Sequence, residues 1–363
     1  MRVFLLSLSL GAMLPGGLSA AGELSAVAHP DESFPKENTV VWTPLFQAAW
    51  DRMNHDMGGK PVKIEPPNEL MAKLDGFEWS AAEVMPPPER WRVWSGPPSP
   101  DFVEVANQEA AQILGEDKGP FDAIGEGDHP PGSRLVLALL DRDLNFPKTF
   151  VRSTSSQLAF RNAGGAEAKV EFFGVLGQMS ASYSDSVRIL HRDEASHAVQ
   201  LSSDQQDAVV VYLPKEQESF AAAVAKLKGW REEGLKGAAG SALDPALHRG
   251  DDLRIPVVEF SQLTDFTPVL QGGRFYSERG VPMGLFKAQQ TVDFQMSEKG
   301  AKARATAEVG AEPFGEVPRA PVRIVPRKFI FDRPFFVFMW KDAAPLPYMG
   351  VWVGGEKGLK VAK

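Results

Sequence analysis

The sequence predicts an α+β fold in a single large domain, on the basis of three observations. Apolar residues recur at helical spacing in the N-terminal part, whereas strand-like runs dominate from residue 134 onward. The hydrophobic fraction of 43% is typical of a globular chain with a sizeable core. No shift in composition marks a boundary after residue 37, so we expect one domain spanning residues 38–363.

The first 21 residues have the pattern of a secretory signal peptide. Arg2 precedes a short apolar run, and the segment ends in the small residues Ala20 and Ala21. The run is too short to span a bilayer, which takes about 20 apolar residues. We therefore expect a secreted protein, extracellular or periplasmic, without a membrane anchor.

The composition of the chain argues against several classes of function. The chain has no cysteine, so it has neither a disulfide framework nor a thiol nucleophile. Its net charge of −8 argues against nucleic acid, which requires a basic face. No motif for a cofactor or a metal is present, and we expect none.

Residues 22–37 are predicted to form a polar leader, which contains two prolines. The first predicted helix follows this leader. Thr43 can cap the first helix, Pro44 suits its first turn, and Gly58 and Gly59 end it. By the same criteria the chain contains helices over residues 44–53, 69–75, 101–114 and 218–228.

Most of the predicted strands lie after residue 134. The run 135–140 is wholly apolar, which suits a central strand covered on both faces. Further alternating or apolar runs predict strands over residues 91–94, 168–176, 187–190, 197–201, 208–213, 253–260, 328–340 and 348–353.

Six segments, in one order, resemble segments of the serpin superfamily. Two are the most specific: residues 297–303 (SEKGAKA) resemble the loop hinge "nEeGteA", and residues 331–338 (FDRPFFVF) resemble the motif "aDhPFlFf". The other four segments are residues 38–45, 134–140, 209–215 and 253–271.

The resemblance implies a serpin fold, with three β-sheets, covering helices and an exposed reactive-centre loop at about residues 298–327. In inhibitory members a serine protease cleaves this loop, which then inserts into the large central sheet and carries the acylated protease with it. A free-energy difference stored in the fold drives the insertion. Such a protein is a single-use inhibitor without turnover, not an enzyme.

The hinge has the alternation that insertion requires. The alanines at 301, 303, 305 and 307 fall on one face of a strand, and Lys302, Arg304 and Thr306 fall on the other. With Glu298 and Gly300 these alanines form the predicted hinge. Because alanine, lysine and arginine also favour helix, a helix remains an alternative, as does a solvent-exposed linker.

Two bonds are candidates for the reactive site. Counting 16 residues beyond Glu298 gives the bond between Phe314 and Gly315, which would suit a chymotrypsin-like protease. Counting back from the motif at 331–338 favours the bond between Arg319 and Ala320. Arg319 would suit a trypsin-like protease, whose pocket carries a carboxylate that pairs with the guanidinium. Nearby prolines lack amide protons, so we expect insertion to stop before Pro313.

Several positions depart from the family pattern. In the hinge, Ala301 replaces threonine or serine, Lys302 replaces an acidic residue, and Arg304 interrupts the run of small residues. In the family, a serine, an asparagine and a histidine form a polar network where the central sheet opens. In this chain Phe46 stands at the position of the second serine of the opening motif, Leu139 lies near the position of the asparagine, and Gln289 or Gln290 lies near that of the histidine.

Three other groups of residues could suggest a functional site, but each has a simpler structural interpretation. His191 and His197, with Asp193 and Glu194 between them, are interpreted as flanking a charged turn rather than as metal ligands. Asp141, Arg142 and Asp143 are also interpreted as a charged turn rather than an acid–base pair. The tryptophans at positions 42, 50, 79, 91 and 94 fit core packing better than a sugar-binding groove.

Three functional hypotheses result. The first is an exported, monomeric inhibitor of a trypsin-like or chymotrypsin-like serine protease. The second is a non-inhibitory serpin-like binding or structural protein, which the departures at Arg304 and in the polar network favour. The third, a hydrolase or glycan-binding protein, has only scattered carboxylates and tryptophans to support it.

Overall fold

The computed structural model describes most of the chain after the predicted signal peptide. The described residues are 22–60, 63–124, 133–235, 244–270, 274–276, 282–283, 287–303 and 326–362. Within these ranges, none of the helices combines the length and the apolar character that crossing a bilayer requires.

The described helices are α1 (Leu45–Asp56), α2 (Glu69–Gly76), α3 (Ala81–Val84), α4 (Pro100–Leu114), α5 (Phe220–Leu235) and α6 (Thr267–Leu270), with short 3-10 helices at Pro88–Arg90 and Gly177–Tyr183. Four of the described helices overlap the predicted ones, although α5 ends seven residues later than predicted, and α3 and α6 were not predicted.

The strands are more numerous than the sequence predicts. They are β1 (Leu24–Val27), β2 (Thr39–Trp42), β3 (Lys63–Glu65), β4 (Trp91–Gly96), β5 (Leu135–Leu140), β6 (Arg142–Asn145), β7 (Val151–Arg161), β8 (Glu167–Val175), β9 (Val187–Arg192), β10 (His197–Ser202), β11 (Asp207–Leu213), β12 (Asp252–Pro256), β13 (Val258–Asp265), β14 (Arg274–Tyr276), β15 (Pro282–Met283), β16 (Gln289–Ser297), β17 (Gly300–Ala303), β18 (Lys328–Ile330), β19 (Phe335–Lys341) and β20 (Met349–Val353).

Three larger sheets organise the molecule. Their strand orders are β1-β2-β20-β19-β11-β10-β9, β18-β12-β8-β7 and β13-β16-β17-β6. Two smaller ladders have the orders β15-β14-β3 and β4-β5. Because only Asp141 separates β5 from β6, the chain runs directly from the two-stranded ladder into the sheet that contains β17.

The seven-stranded sheet is covered on both faces. In β11, Val209 and Val211 contribute to one hydrophobic cluster, whereas Val210 and Tyr212 contribute to another cluster that includes Phe220 of α5. A strand buried on both faces needs no polar alternation, which explains the continuous apolar run of β11.

The segment predicted as a polar leader is not simply a leader. Leu24–Val27 forms strand β1, which pairs in parallel with β2, and the backbone amide of Glu23 donates to the Asn38 side chain at 3.0 Å. Leu24 and Ala26 pack against the hydrophobic core. The prediction for residues 22–37 is thus corrected, because four residues with modest apolar character gain a partner strand that follows them in the sequence.

Candidate functional site

The hinge forms an internal strand of the third large sheet. Strand β17 pairs antiparallel with β16 on one side and with β6 on the other. On the β6 side, residues 300, 301, 302 and 303 lie opposite residues 145, 144, 143 and 142. The chain that enters the predicted loop is therefore already part of a sheet as far as Ala303.

Ala301, the first alanine of the predicted inward face, is buried. Ala301, its β6 neighbour Leu144 and its β16 neighbour Met296 each have 0% of their surface exposed, and all belong to the main hydrophobic cluster. A side chain larger than alanine at position 301 would have to displace this packing. The small residue at 301 thus fits its neighbours directly.

The outer face of the hinge carries an ion pair. Lys302 Nζ lies 3.0 Å from the carboxylate of Asp143, the residue directly opposite on β6. Opposite charges at directly facing positions stabilise an antiparallel pair by roughly 0.2–1 kcal/mol. Lys302, which departs from the family pattern, therefore has a matching partner in Asp143, which the sequence interpretation did not identify.

The turn that precedes the hinge strand is fixed by backbone contacts. The carbonyl oxygen of Glu298 accepts from the Phe150 amide at 2.9 Å, and that of Lys299 accepts from the Phe146 amide at 2.8 Å. Both contacts attach the turn between β16 and β17 to the segment that follows β6. The hinge is consequently anchored before its first paired residue.

Arg152 connects the hinge to the neighbouring sheet. One of its guanidinium nitrogens lies 3.2 Å from the Glu298 carboxylate, and another lies 2.5 Å from the Glu171 carboxylate on β8. The Arg152 side chain is about three-quarters buried, with 25% of its surface exposed. The predicted hinge residue Glu298 thus has a charged partner that the sequence interpretation did not identify.

Three buried polar side chains form a cluster beside the hinge strand, starting from Arg142, which lies opposite Ala303. Arg142 donates from Nη2 to Asp207 at 2.6 Å, and the Tyr348 hydroxyl donates to the same carboxylate oxygen at 3.0 Å. Burial, together with the Asp207 carboxylate, raises the pKa of Tyr348 well above its usual range. These three side chains hold β6, β11 and the chain before β20 together.

The interpretation of residues 141–143 as a simple charged turn was therefore wrong. Arg142 and Asp143 belong to strand β6, and only 5% of the surface of Arg142 is exposed. Arg142 is stable in the interior because Asp207 neutralises it, and that partner lies 65 residues later in the chain.

The far end of the loop has its own anchor. Arg327 donates to the buried carboxylate of Asp251 from Nη2 at 2.6 Å and from its backbone amide at 2.8 Å. Burial alone would raise the pKa of Asp251, but its hydrogen bonds with Arg327 and with the His248 amide outweigh burial and lower it. Both ends of the segment between Ala303 and Pro326 are thus held by charged contacts.

The predicted reactive-site residues Phe314, Gly315, Arg319 and Ala320 lie outside the described residues, as do the hinge residues Ala305 and Ala307 and the intervening Arg304 and Thr306. The described part of the hinge comprises Glu298, Gly300, Ala301 and Ala303. The choice between the two candidate bonds stays a prediction.

The structure distinguishes the two glutamines that were placed near the family histidine. Gln290 points inward with 7% of its surface exposed, whereas Gln289 lies on the exposed face of β16. Both side-chain polar atoms of Gln290 are buried without a hydrogen-bond partner among the described residues. Phe46 packs against Phe266 at a ring distance of 4.8 Å, so an apolar contact stands at the position of the second serine.

The histidine pair lies at a turn, as the simpler interpretation predicts. The Asp193 side chain accepts from the backbone amides of Ala195 and Ser196 between β9 and β10. The same nitrogen of His191, Nε2, contacts both Asp193 and Ser196 Oγ, whereas a catalytic relay would use opposite sides of the ring. Among the described residues, no three metal-ligating side chains come together.

The tryptophans do not form a common groove. Trp42, Trp50 and Trp94 are at least nine-tenths buried and belong to three different hydrophobic clusters. Trp79 and Phe77 line an open cleft of about 490 Å³ beside α1, where the Trp79 indole donates to Asp51 at 2.8 Å. The cleft does not join the hinge region, and core packing accounts for the three buried rings.

The similarity of this chain to known proteins lies in its structure. No protein-family model matches the chain, and no curated protein matches its sequence. The crystal structure of the thermophilic serpin tengpin, in its native state, is similar with a TM-score of 0.54 and 12% sequence identity, covering 93% of this chain and 98% of tengpin. Human thyroxine-binding globulin complexed with thyroxine has a TM-score of 0.50 and 14% identity, covering 88% of this chain and 92% of that protein.

The similarity to tengpin extends over nearly the whole of both chains. It agrees with the order of the six sequence segments and with a hinge that forms an internal strand ahead of the loop. The chain therefore has the serpin fold.

Proposed function

We propose that this protein is an exported, monomeric inhibitor of a serine protease and acts once, through cleavage of the loop at about residues 298–327. The observation that carries the proposal is the pairing of Gly300–Ala303 between β16 and β6, with Ala301 inward. A segment that already begins as an internal strand needs no new nucleation to extend that strand after cleavage.

In this proposal the protease supplies the catalytic groups, and the loop is its substrate. Its serine oxygen attacks the carbonyl carbon of Phe314 or Arg319, an ester forms, and the following residue leaves as a free amine that takes the serine proton. Water would normally hydrolyse that ester. Insertion of the loop before hydrolysis carries the protease away with the ester intact.

The experiment uses the mature chain with trypsin and with chymotrypsin. A complex that survives denaturing electrophoresis supports inhibition, and sequencing of the released C-terminal fragment identifies the cleaved bond. Arg319→Ala should abolish the complex with trypsin only, and Phe314→Ala the complex with chymotrypsin only. Digestion at both sites without any complex would reject inhibition.

Export is part of the proposal and has its own test. The pattern of residues 1–21 supports it, and the N-terminus of protein collected outside the cytoplasm should start near Gly22. Protein that keeps residues 1–21 and stays in the cytoplasm would reject export.

A second function has a specific observation in its favour. Where the family has a polar network, the buried amide of Gln290 has no hydrogen-bond partner in the described part of the chain, and Phe46 makes an apolar contact. A non-inhibitory binding role would be consistent with this loss, and thyroxine-binding globulin provides an example of a binding protein with a similar fold. Cleavage of the loop without a covalent complex, and without a gain in thermal stability, would favour this role.

A further inference from the structure

Three exposed apolar residues lie at one end of the sheet formed by β18, β12, β8 and β7. Val151, the first residue of β7, has 38% of its surface exposed, and Leu176, directly after β8, has 39%. Met179, in the 3-10 helix that follows, has 48% of its surface exposed. Single exposed apolar residues are common on proteins, whereas a group of them calls for an explanation.

The strand register brings these residues together. Val151 pairs with Gly174 of β8, so the start of β7 and the end of β8 lie at the same end of the sheet. Leu176 follows Gly174 by two residues in extended backbone, with φ −113° and ψ 123°, which places it on the same face as Val151. The Met179 amide donates to the Leu176 carbonyl at 3.4 Å.

Val151 lies beside the first residue of the predicted loop. The backbone amide of Phe150 donates to the Glu298 carbonyl at 2.9 Å, and a guanidinium nitrogen of Arg152 lies 3.2 Å from the Glu298 carboxylate. Both sequence neighbours of Val151 thus contact the turn that leads into the hinge strand. Val151 is therefore fixed next to the upstream end of the loop.

Leu176 and Met179 lie beside the downstream end. The Gly250 amide donates at 2.9 Å to the carbonyl of Gly177, which directly follows Leu176. Gly250 also lies against Pro326, since a Cβ atom added to Gly250 would be 3.2 Å from the Pro326 ring. The 3-10 helix and the downstream end of the loop thus contact the same residue.

Polar side chains border the three apolar ones. Arg254, which pairs with Gly174 on the β12 side, lies 2.7 Å from the Asp252 carboxylate. Lys148 donates to the Ser182 hydroxyl at 2.9 Å. An apolar centre with a polar rim is the usual anatomy of a protein–protein contact. Three apolar side chains are too few for a stable complex, which buries at least about 1,000 Å², so this surface can only add to binding by the loop.

We propose that Val151, Leu176 and Met179 form a second contact surface for the protease that cleaves the loop, and that this surface binds an apolar patch beside the protease's substrate cleft. A protease that binds the loop comes within reach of it, because both ends of the loop are anchored here. A charged patch would be disfavoured, since its charges would lose water against apolar side chains. This inference rests on the proposed function and narrows the proteases that fit.

The test measures single-turnover cleavage of the loop in the mature chain as a function of trypsin or chymotrypsin concentration. With the enzyme that cuts faster, Leu176→Ser combined with Met179→Ser should raise the half-saturating concentration about tenfold, as for loss of an apolar anchor. The maximal rate should not change, because the contact is equally strong before and during the reaction.

Two matched variants serve as controls. Leu176→Met combined with Met179→Leu keeps the surface apolar and should stay within about twofold of the wild type. Leu263→Ser removes an exposed leucine that pairs with Thr291, six residues before Ser297 at the hinge end of β16, and should have no effect. Because the contact is apolar, the tenfold ratio should persist as the salt concentration is raised. The melting temperature of each variant verifies folding.

The outcomes separate the two proposals. An unchanged half-saturating concentration in the double serine variant, or an equal change in Leu263→Ser, would overturn the contact surface and leave inhibition in place. A tenfold change in cleavage without any covalent complex would support the surface and reject inhibition. No cleavage of the loop by either enzyme would overturn both. A dimer that the double serine variant abolishes in sedimentation would assign the surface to a second copy and overturn the inference.

Discussion

A Cβ atom on Gly300 would lie 1.9 Å from the carbonyl oxygen of Leu144. The contact is with backbone, which cannot rotate away as a side chain can. Glycine at this position thus allows the first residue of the hinge strand to approach β6 closely enough to pair with Asn145.

Gly300→Val should expel β17 from its place between β16 and β6. The overlap with Leu144 forces the backbones apart, so amide hydrogen exchange at residues 301–303 should accelerate at least about tenfold, equivalent to a loss of about 1.4 kcal/mol of local stability. Gly229→Ala is the control, because a Cβ there would have no atom within 4 Å apart from its chain neighbours and the adjacent helix backbone, and alanine should stabilise helix α5 by about 0.5–1 kcal/mol. Unchanged exchange at 301–303 in Gly300→Val would refute the close approach.

Gln290→Leu should stabilise the intact protein. Leucine removes two buried polar atoms that have no hydrogen-bond partner within the described ranges, and the free energy of unfolding should rise by about 1–3 kcal/mol in denaturant titrations. Gln289→Leu, on the exposed face of the same strand, should change it by less than about 0.5 kcal/mol. A loss of stability in Gln290→Leu would mean that the amide has a partner in the native state.

Arg142→Met should cost the protein about 3–5 kcal/mol of unfolding free energy, because it leaves the Asp207 carboxylate buried without its cation. Combining Arg142→Met with Asp207→Leu and Tyr348→Phe should recover most of the loss, since the triple variant leaves no unpaired polar atom of this group. Equal instability of the single and triple variants in urea would contradict this account of the group.

His197 should make the protein less stable in acid. Burial, with the nearby Arg333 and Arg192 charges, lowers the pKa of His197 from 6.5 to about 3. The unfolded chain then binds a proton that the folded chain does not, so stability falls as the pH drops from 6.5 toward 3, by up to about 1.4 kcal/mol per pH unit. In His197→Leu this contribution to the slope should disappear from urea titrations at pH 6, 5 and 4.

The control for this pH dependence is Phe331→Leu. The Phe331 ring lies 4.7 Å from His197, so the substitution disturbs the same packing without removing a titrating group. It should lower stability by a similar amount at each pH and leave the slope intact. A slope that is equal in wild type and His197→Leu would show that His197 is not the residue responsible.

Much of the fold could be predicted because local signals agreed with it. Helix α4 lies within one residue of its predicted bounds, 101–114, and the Ser99 side chain caps it by accepting from the Phe102 amide at 3.3 Å. Strand β11 lies within one residue of its predicted bounds, because a buried apolar run of that length has few alternatives.

The contacts of the hinge were harder to predict. Asp143 follows Arg142 directly, and neighbouring opposite charges are typical of a turn. Their true partners, Lys302 and Asp207, are distant in the sequence, so only the pairing register reveals them. The inward position of Ala301 could be predicted because the period of two is local, whereas the partner of Lys302 on the opposite face depends on which strand lies beside it.

The melting temperature of protein cut once within residues 314–320, compared with that of the intact protein, tests the central claim most directly. If the segment after Ala303 enters the sheet between β16 and β5, the cut protein gains a strand, and its melting temperature should rise by on the order of 10 °C or more. An unchanged or lower melting temperature would contradict insertion.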